Sequence, residues 1–144
     1  MEKYVHSMRM TVPYSDIDMM GHVNNARYFT YFETVRAEQM HKLKEGEIGN
    51  ENDPHGLGVI LARAEIDYKY PARWLDVLLV KMRTTAVGNS SWVYEYEITN
   101  EKSQRVVATG RTVQVAYDYG KGASIPIPEE VREKLLKEIE ETKD

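Results

Sequence analysis

The residues best suited to chemistry are gathered in one short segment, SDIDMMGHVNNARYFTYFE. Asp16 and Asp18 are two residues apart, so on an extended chain their carboxylates face the same side. Gly21 permits a sharp turn, and His22 and Asn25 bring polar groups to the start of a helical pattern. A helix N-terminus exposes unpaired N–H groups and the positive end of the helix dipole. A carboxylate facing such donors is suited to acyl transfer, in which negative charge develops on an oxygen.

Each of these residues also has a purely structural interpretation. Asp and Asn residues before a helix are most often caps or turn residues, and a lone histidine such as His22 is more often a structural hydrogen-bonding group. Glu33 and Arg36 are three residues apart on the predicted helix, where they could form a surface ion pair worth about 0.3 kcal/mol. From the residues alone, both interpretations stay open.

The segment joins a predicted strand to a predicted helix. The run from Tyr4 to Tyr14 alternates between apolar and polar residues, which indicates a half-buried strand. From Asn25 to Lys44 the apolar spacing becomes helical, with Asn24 or Asn25 as the cap and Gly46 as a residue that can end the helix. The predicted apolar stripe consists of Tyr28, Tyr31, Phe32, Val35, Met40 and Leu43. Such an aromatic face is what a helix lying on a sheet needs.

Four strand-like runs follow a polar loop. They extend from Val59 to Tyr70, from about Asp76 to Val87, from Trp92 to Ile98 and from Val107 to Tyr117. Turns recur between them at hairpin spacing, which predicts an antiparallel meander. The tail, about residues 128–142, reads as a short charged helix. The order predicts a single α+β domain over residues 1–144, with one sheet curled around one long helix.

The composition excludes several classes of protein. The chain has no cysteine, which excludes disulfides, a thiol nucleophile and cysteine-ligated metals. The G-x-S-x-G, P-loop and dinucleotide motifs are absent, and the four histidines show no metal-binding spacing. The net charge of −4 argues against broad nucleic-acid binding. With neither a signal peptide nor an apolar run of roughly 20 residues, we expect a cytoplasmic protein without a membrane or nucleic-acid partner.

The segment from Tyr14 to Arg36 resembles the signature of the 4-hydroxybenzoyl-CoA thioesterase-like family, which includes bacterial long-chain acyl-CoA thioesterases. The shared pattern is Asp-x-Asp-x-x-Gly, then HVNN, then a tyrosine and a YFE segment followed by arginine. The later segment from Asp67 to Ile98 is similar to the second and third strands of that family. The resemblance implies a hotdog fold, in which an antiparallel sheet of five to six strands wraps one long central helix. It also implies homodimers paired edge to edge, or tetramers, with active sites at the dimer interface.

The resemblance implies roles for four residues of an acyl-CoA thioesterase. The carboxylate of Asp18 would attack the thioester or activate water, and the backbone N–H of Asn25 would bind the thioester oxygen. His22 is similar to the catalytic histidine of plant acyl-carrier-protein thioesterases. Glu33 would either support catalysis across the interface or pair with Arg36. The resemblance implies no cofactor and no metal, because CoA arrives as part of the substrate.

One departure bears on the substrate. The 4-hydroxybenzoyl-CoA enzyme itself places a basic cluster at the turn that reads VGNSSW here, so other basic residues must meet the nucleotide phosphates, or the carrier differs. This form of the turn looks more like the fatty-acyl branch and favours an aliphatic acyl group. Two alternatives stay open: an acyl-carrier-protein thioesterase and a non-catalytic module that binds acyl thioesters.

Overall fold

One long helix carries an aromatic stripe that covers one side of a six-stranded antiparallel sheet. The computed structural model describes residues 4–44 and 58–143. In chain order the elements are β1 (His6–Thr11), a 3₁₀ turn (Tyr14–Asp16), α1 (Arg27–Lys44), β2 (Gly58–Tyr68), β3 (Val77–Val87), β4 (Ser91–Asn100), β5 (Val106–Asp118), β6 (Ala123–Ser124) and α2 (Glu129–Glu141). This arrangement confirms the predicted α+β hotdog fold. Within the described ranges, neither helix is long and apolar enough to cross a membrane.

The helix α1 begins two residues later than the sequence predicted. It starts at Arg27 instead of Asn25, because Asn24 closes a turn before it. The Asn24 side-chain Oδ1 accepts the N–H of Ala26 at 2.9 Å, and its backbone carbonyl accepts the N–H of Arg27 at 2.9 Å. The predicted end of the helix near Gly46 lies outside the described residues.

The aromatic stripe of α1 packs against β4 and β5. The buried members of the stripe are Tyr28, Tyr31, Phe32 and Val35, whereas Met40 is partly buried and the side chain of Leu43 lies outside the described part of the structure. The ring of Phe32 stacks on that of Tyr96, with centroids 4.3 Å apart. A Cβ at Gly110 would lie 2.3 Å from the Phe32 ring, so only glycine lets the helix approach this closely.

The strand order is β1-β3-β4-β5-β2, with the short β6 paired to the far end of β5. The predicted meander is correct for β3, β4 and β5 but wrong for β2, which pairs with β5 instead of β3. The chain after β2 does not turn back in a hairpin. It passes beside the start of α1, where the Val23 N–H donates to the carbonyl of Ala72 at 2.8 Å. As a result β2 lies at one edge of the sheet and β1 at the other.

A bulge interrupts the alternation predicted for β2. The register with β5 shifts between Leu61 and Arg63, so the strict alternation from Val59 to Tyr70 is broken there. Before the shift Ile60 pairs with Val115, and after it Ile66 pairs with Gly110, so these two residues no longer share a face of the sheet. A single extra residue therefore changes which side chains share a face of the sheet.

The strand β1 is shorter than predicted. It ends at Thr11, and the chain turns at Pro13, whose missing N–H cannot continue the ladder. Tyr14 consequently lies in the 3₁₀ turn with 64% of its surface exposed, not on the buried face of the strand. This turn carries Asp16 and Asp18 toward the start of α1.

The helix α2, Glu129–Glu141, agrees closely with the predicted range and docks through buried Val131 and Leu135 and through one partly buried carboxylate. Glu138 accepts a hydrogen bond from the Thr84 hydroxyl at 2.6 Å, and its other oxygen lies 2.9 Å from Nε2 of His6. The amide of Gln39 donates to the same carboxylate at 3.3 Å. Burial would raise the pKa of Glu138, but these hydrogen bonds outweigh it and hold the pKa below its ordinary value.

Candidate active site

The turn between β1 and α1 holds Asp18 at the mouth of a tight loop. Ile17 and Val23 form an isolated antiparallel bridge, and inside it the Asp18 N–H donates to the His22 carbonyl at 3.0 Å. Gly21 closes the loop at φ +86°, a left-handed conformation that favours glycine. A Cβ at Gly21 would meet nothing within 4 Å, so the backbone angle and not the available space requires glycine here.

The carboxylate of Asp18 has one bonded oxygen and one unbonded oxygen. Its Oδ1 accepts the backbone N–H of Met20 at 2.9 Å, which is the turn-stabilising contact that the structural interpretation predicted. Its Oδ2 accepts no hydrogen bond from any residue that the structure describes. The side chain is only partly buried. One oxygen thus orients the group while the other is available to a ligand.

Asp16, by contrast, is fully engaged. Its Oδ2 accepts the Tyr31 hydroxyl at 2.6 Å, and its Oδ1 lies 3.5 Å from Nε of Arg27. Burial and the adjacent carboxylate raise the pKa of Tyr31 far above its ordinary range, so the hydroxyl stays a donor. Asp16 therefore ties the loop to the first turns of α1.

The start of α1 presents a backbone donor. The carbonyl of Asn24 accepts the Arg27 N–H at 2.9 Å, so the trans peptide directs the Asn25 N–H the opposite way, out from the helix. This N–H donates to no group in the described part of the chain. The first turn of α1 contains no acidic residue that would offset the positive end of its dipole. The Asn25 N–H is thus suited to an oxygen that gains negative charge.

Three of the four predicted site residues line one cleft of about 440 Å³, called the active cleft here. Asp18, His22 and Asn25 form one wall. A second wall is formed by residues at the end of β2 and just after it, namely Tyr68, Lys69, Tyr70 and Pro71. A carboxylate, an imidazole and a helix N-terminus therefore line the same cleft.

Glu33 does not line the active cleft. It is exposed on α1, and within the described chain no ion pair joins it to Arg36, so the predicted pairing is wrong. The Arg36 guanidinium instead donates to the Tyr96 hydroxyl at 3.1 Å, which lies 2.6 Å from Oγ1 of Thr112. Arg36 thus points inward toward the sheet.

The sequence reasoning missed two tyrosines that support the cleft. The Tyr68 hydroxyl donates to the Asn25 carbonyl at 2.9 Å, and the Tyr28 hydroxyl accepts the Ala72 N–H at 3.3 Å. Their rings meet edge to face with centroids 5.4 Å apart. Burial raises the pKa of both hydroxyls, which favours their protonated forms. Tyr68 lies in the segment from Asp67 to Ile98 that resembles the family, and this resemblance was the one signal in the sequence that could have indicated its role.

Comparison with known proteins identifies the family. The model of the thioesterase-like superfamily matches residues 12–135, a span that includes both walls of the active cleft. The chain belongs to the thioesterase-like superfamily. The match starts at Val12, directly after β1, and extends into α2, so the superfamily model covers every described strand except β1.

Individual relatives match this chain over most of its length. The long-chain acyl-CoA thioesterase FadM of Escherichia coli is 27% identical, over 83% of this chain and 88% of that protein. A predicted thioesterase from Bacillus stearothermophilus superposes with a TM-score of 0.81 at 27% identity, covering 93% of this chain and 96% of that one. A Thermus thermophilus thioesterase complexed with coenzyme A and zinc gives 0.77 at 30% identity, covering 92% and 98%. In the chain described here, residues 4–44 and 58–143 contain no group of three potential metal ligands among His, Asp and Glu.

Proposed function

We propose that this protein hydrolyses acyl-CoA thioesters to a free acid and CoA. The observation that carries the proposal is the active cleft, which is lined both by Asp18, whose Oδ2 is unbonded, and by Asn25, whose N–H has no acceptor among the described residues. The names of two relatives support it: FadM is a long-chain acyl-CoA thioesterase, and the Thermus protein was crystallised with coenzyme A.

The chemistry requires two groups on opposite sides of the thioester carbonyl. The Asn25 N–H and the dipole of α1 would stabilise the negative charge that develops on the carbonyl oxygen. As a general base, Asp18 would take a proton from water while the water oxygen bonds to the carbonyl carbon. The C–S bond then breaks, and the proton passes to the leaving sulfur. As a nucleophile, Asp18 would form an acyl anhydride that water hydrolyses, with the same products.

The acyl group and its carrier belong to the proposal as well. The VGNSSW turn favours an aliphatic acyl group over an aromatic one. A carrier-protein thioester would undergo the same reaction, and a binding module would need no oriented carboxylate. A thiol-release assay on a panel of acyl-CoA and acyl-carrier-protein thioesters separates the three, because a binding module releases no thiol from either carrier.

We also propose that the active unit is a dimer built on β2. Among the described residues this strand pairs only with β5, on one side, so its outer edge presents N–H and C=O groups that no described strand pairs with. The strand exposes Ile60 and Leu61, which an edge-to-edge pair would cover. Because Tyr68 ends this strand and lines the active cleft, pairing would place the partner close to the site. A partner residue such as Glu33 could then reach it.

Replacing Asp18 with Asn tests the proposal directly. Asn keeps the side-chain oxygen that accepts the Met20 N–H, so the turn should survive, but it can neither attack nor take a proton. We expect the rate of thiol release to fall by at least about 100-fold while circular dichroism and the melting temperature stay close to wild type. A folded D18N protein with near-normal turnover would rule out the assignment.

The matched control is Asp16→Asn. It makes the same chemical change two residues away, in a carboxylate that bonds Tyr31 and lies near Arg27. We expect this variant to lose stability through its charge-assisted hydrogen bond, by about 1–2 kcal/mol, and to lose less than about tenfold in turnover. Equal losses in both variants would mean that the loop, and not Asp18, carries the activity.

A further inference from the structure

A second, larger cleft adjoins the active cleft. It has a volume of about 850 Å³ and is called the distal cleft here. The loop that connects β2 to β3 forms one wall, and the turn between β4 and β5 forms the other. The two clefts share Tyr70 and Pro71. A molecule with its reactive end at Asp18 can therefore extend past these two residues into the distal cleft.

A strained turn displays an aromatic ring at the distal cleft. Leu75 has a φ of +71°, which is costly for a residue with a branched side chain. The turn is held by the Arg73 N–H, which donates to Asp76 Oδ2 at 2.8 Å, and by the Leu75 N–H, which donates to the Val12 carbonyl at 3.1 Å. Trp74 between them is 56% exposed and lines the cleft. Strain of this kind persists only where the surrounding structure enforces it.

The cations of the distal cleft are free while its carboxylates are engaged. Arg73 and Lys102 both line it, and neither forms an ion pair with any residue that the structure describes. Asp76 accepts the backbone hydrogen bond within the turn, and Glu101 pairs with Arg9 at 3.0 Å. With Arg9 counted beside Glu101, the groups around this cleft carry three positive and two negative formal charges, which leaves an excess of one positive charge available to a ligand.

Two further cations extend this charge back toward the active cleft. Lys69 lines the active cleft itself, and Arg105 lies over the ring of Tyr70, with its guanidinium carbon 4.3 Å from the centroid. Neither has a carboxylate partner in the described part of the chain. Tyr70, which both clefts share, is thus flanked by positive charge on the path between them.

We propose that the distal cleft binds the phosphorylated nucleotide end of CoA. The adenine would stack on the exposed ring of Trp74, and Arg73 and Lys102 would meet the phosphates. The pantetheine arm would pass over Tyr70 and bring the thioester to Asp18. Between Lys69 and Trp74 the backbone spans at most about 18 Å, which an extended pantetheine arm can cover. The proposal rests on the proposed acyl-CoA hydrolysis and names the residues that replace the missing basic cluster at VGNSSW.

The competing occupant is an acidic carrier protein. It would meet the same cations, but it has no nucleobase to stack on the exposed indole of Trp74. A folded protein also docks more readily on a flat or convex surface than in a cleft. The exposed tryptophan and the concave shape favour the nucleotide. Kinetics with carriers that differ only in this part of the molecule can decide between them.

The test compares two substrates with the same acyl group, an acyl-CoA and the corresponding acyl-pantetheine, which lacks the nucleotide. Trp74→Ala and the double variant Arg73→Gln/Lys102→Gln should each raise KM for acyl-CoA by about tenfold with kcat unchanged. Neither should alter kcat/KM for acyl-pantetheine. Adenosine 3′,5′-bisphosphate should compete with acyl-CoA in the wild type and much less in the variants. The control is Lys121→Gln/Lys137→Gln, which removes the same charge from exposed positions outside both clefts.

Three outcomes would overturn the inference. One is an unchanged KM for acyl-CoA in both variants, and another is an equal rise in KM for acyl-pantetheine. The third is a loss confined to acyl-carrier-protein thioesters, which would assign the cleft to a carrier protein. If the wild-type protein hydrolysed no thioester, the proposed function would fail instead. Calorimetric titration with the bisphosphate would then still test the distal cleft by itself.

Discussion

His22 separates two mechanisms at the scale of one side chain. Its ring lines the active cleft, but its Nδ1 lies 3.4 Å from the Val23 carbonyl, a separation at the long limit of hydrogen bonding. The contact that braces the loop is made by its backbone carbonyl, which accepts the Asp18 N–H. The imidazole therefore contributes little to the loop, and its chemical role can be tested without unfolding the site.

Replacing His22 with Gln should leave catalysis largely intact. In the proposed mechanism Asp18 and the helix amide would supply the base and the oxyanion donor, so we expect turnover to fall by less than about tenfold and stability by at most about 1 kcal/mol. The profile of kcat/KM between about pH 5 and 8 should keep its wild-type shape. A loss near 100-fold, together with loss of one limb of the pH profile, would instead make His22 a general acid or base.

The site could be predicted from the sequence only where its residues are close together in the chain. Asp18, His22 and Asn25 lie within one short segment between β1 and α1, and their local spacing was enough to predict that they share a cleft. The role of Asp16 was also accessible, since a carboxylate before a helix is commonly a turn residue. Tyr68 was not, because it reaches the Asn25 carbonyl from a strand 43 positions later in the chain. No local pattern encodes a contact of that kind.

At the scale of elements, the docking of α2 depends in part on the charge of one partly buried carboxylate, that of Glu138. Because the folded pKa of Glu138 is depressed, its ionised form stabilises the fold above the unfolded pKa of about 4.3, and this stability is lost as the pH falls through the folded pKa. Glu138→Gln should cost about 1–3 kcal/mol at pH 7 and should show a weaker loss of stability in acid than wild type.

Urea unfolding at neutral and acidic pH measures both effects. Glu140→Gln is the matched control, because Glu140 lies on the same helix, is exposed and, among the described residues, forms an ion pair only with Lys143 at 3.0 Å. That variant should follow the wild-type pH dependence. If E138Q and wild type lost stability in parallel down to the folded pKa, the carboxylate would not be the group that couples α2 to pH.

The elements themselves were predictable where their signals were local. The stripe of α1 and the hairpins of β3, β4 and β5 follow from apolar spacing and turn residues, and the structure confirms them. The position of β2 was not predictable this way, since hairpin spacing favours its neighbour β3, whereas the chain crosses the start of α1 and pairs with β5. The bulge near Leu61 also escaped, because a register shift depends on the partner strand.

At the scale of the whole molecule, the open edge of β2 predicts a dimer. Leu61 on this strand is 49% exposed and Leu136 on α2 is 46% exposed. Because the two exposures are similar, a substitution at Leu136 is the control for the same substitution at Leu61. Leu61→Lys should weaken the dimer and lower turnover, because a charge resists burial in an apolar interface. Leu136→Lys should change neither. Light scattering and thiol release measure the two effects, and a wild-type monomer that is fully active would contradict the shared-site arrangement.

The pairing of β2 with β5 also determines when the site can form during synthesis. Gly58 pairs with Tyr117 and Tyr68 with Ala108, so β2 has no neighbour in this subunit until most of the chain has been made. The wall that carries Tyr68 must therefore assemble last, after a slow closure of distant segments. Until then the apolar run from Val59 to Leu61 is an unprotected strand, and aggregation should compete with folding during rapid expression.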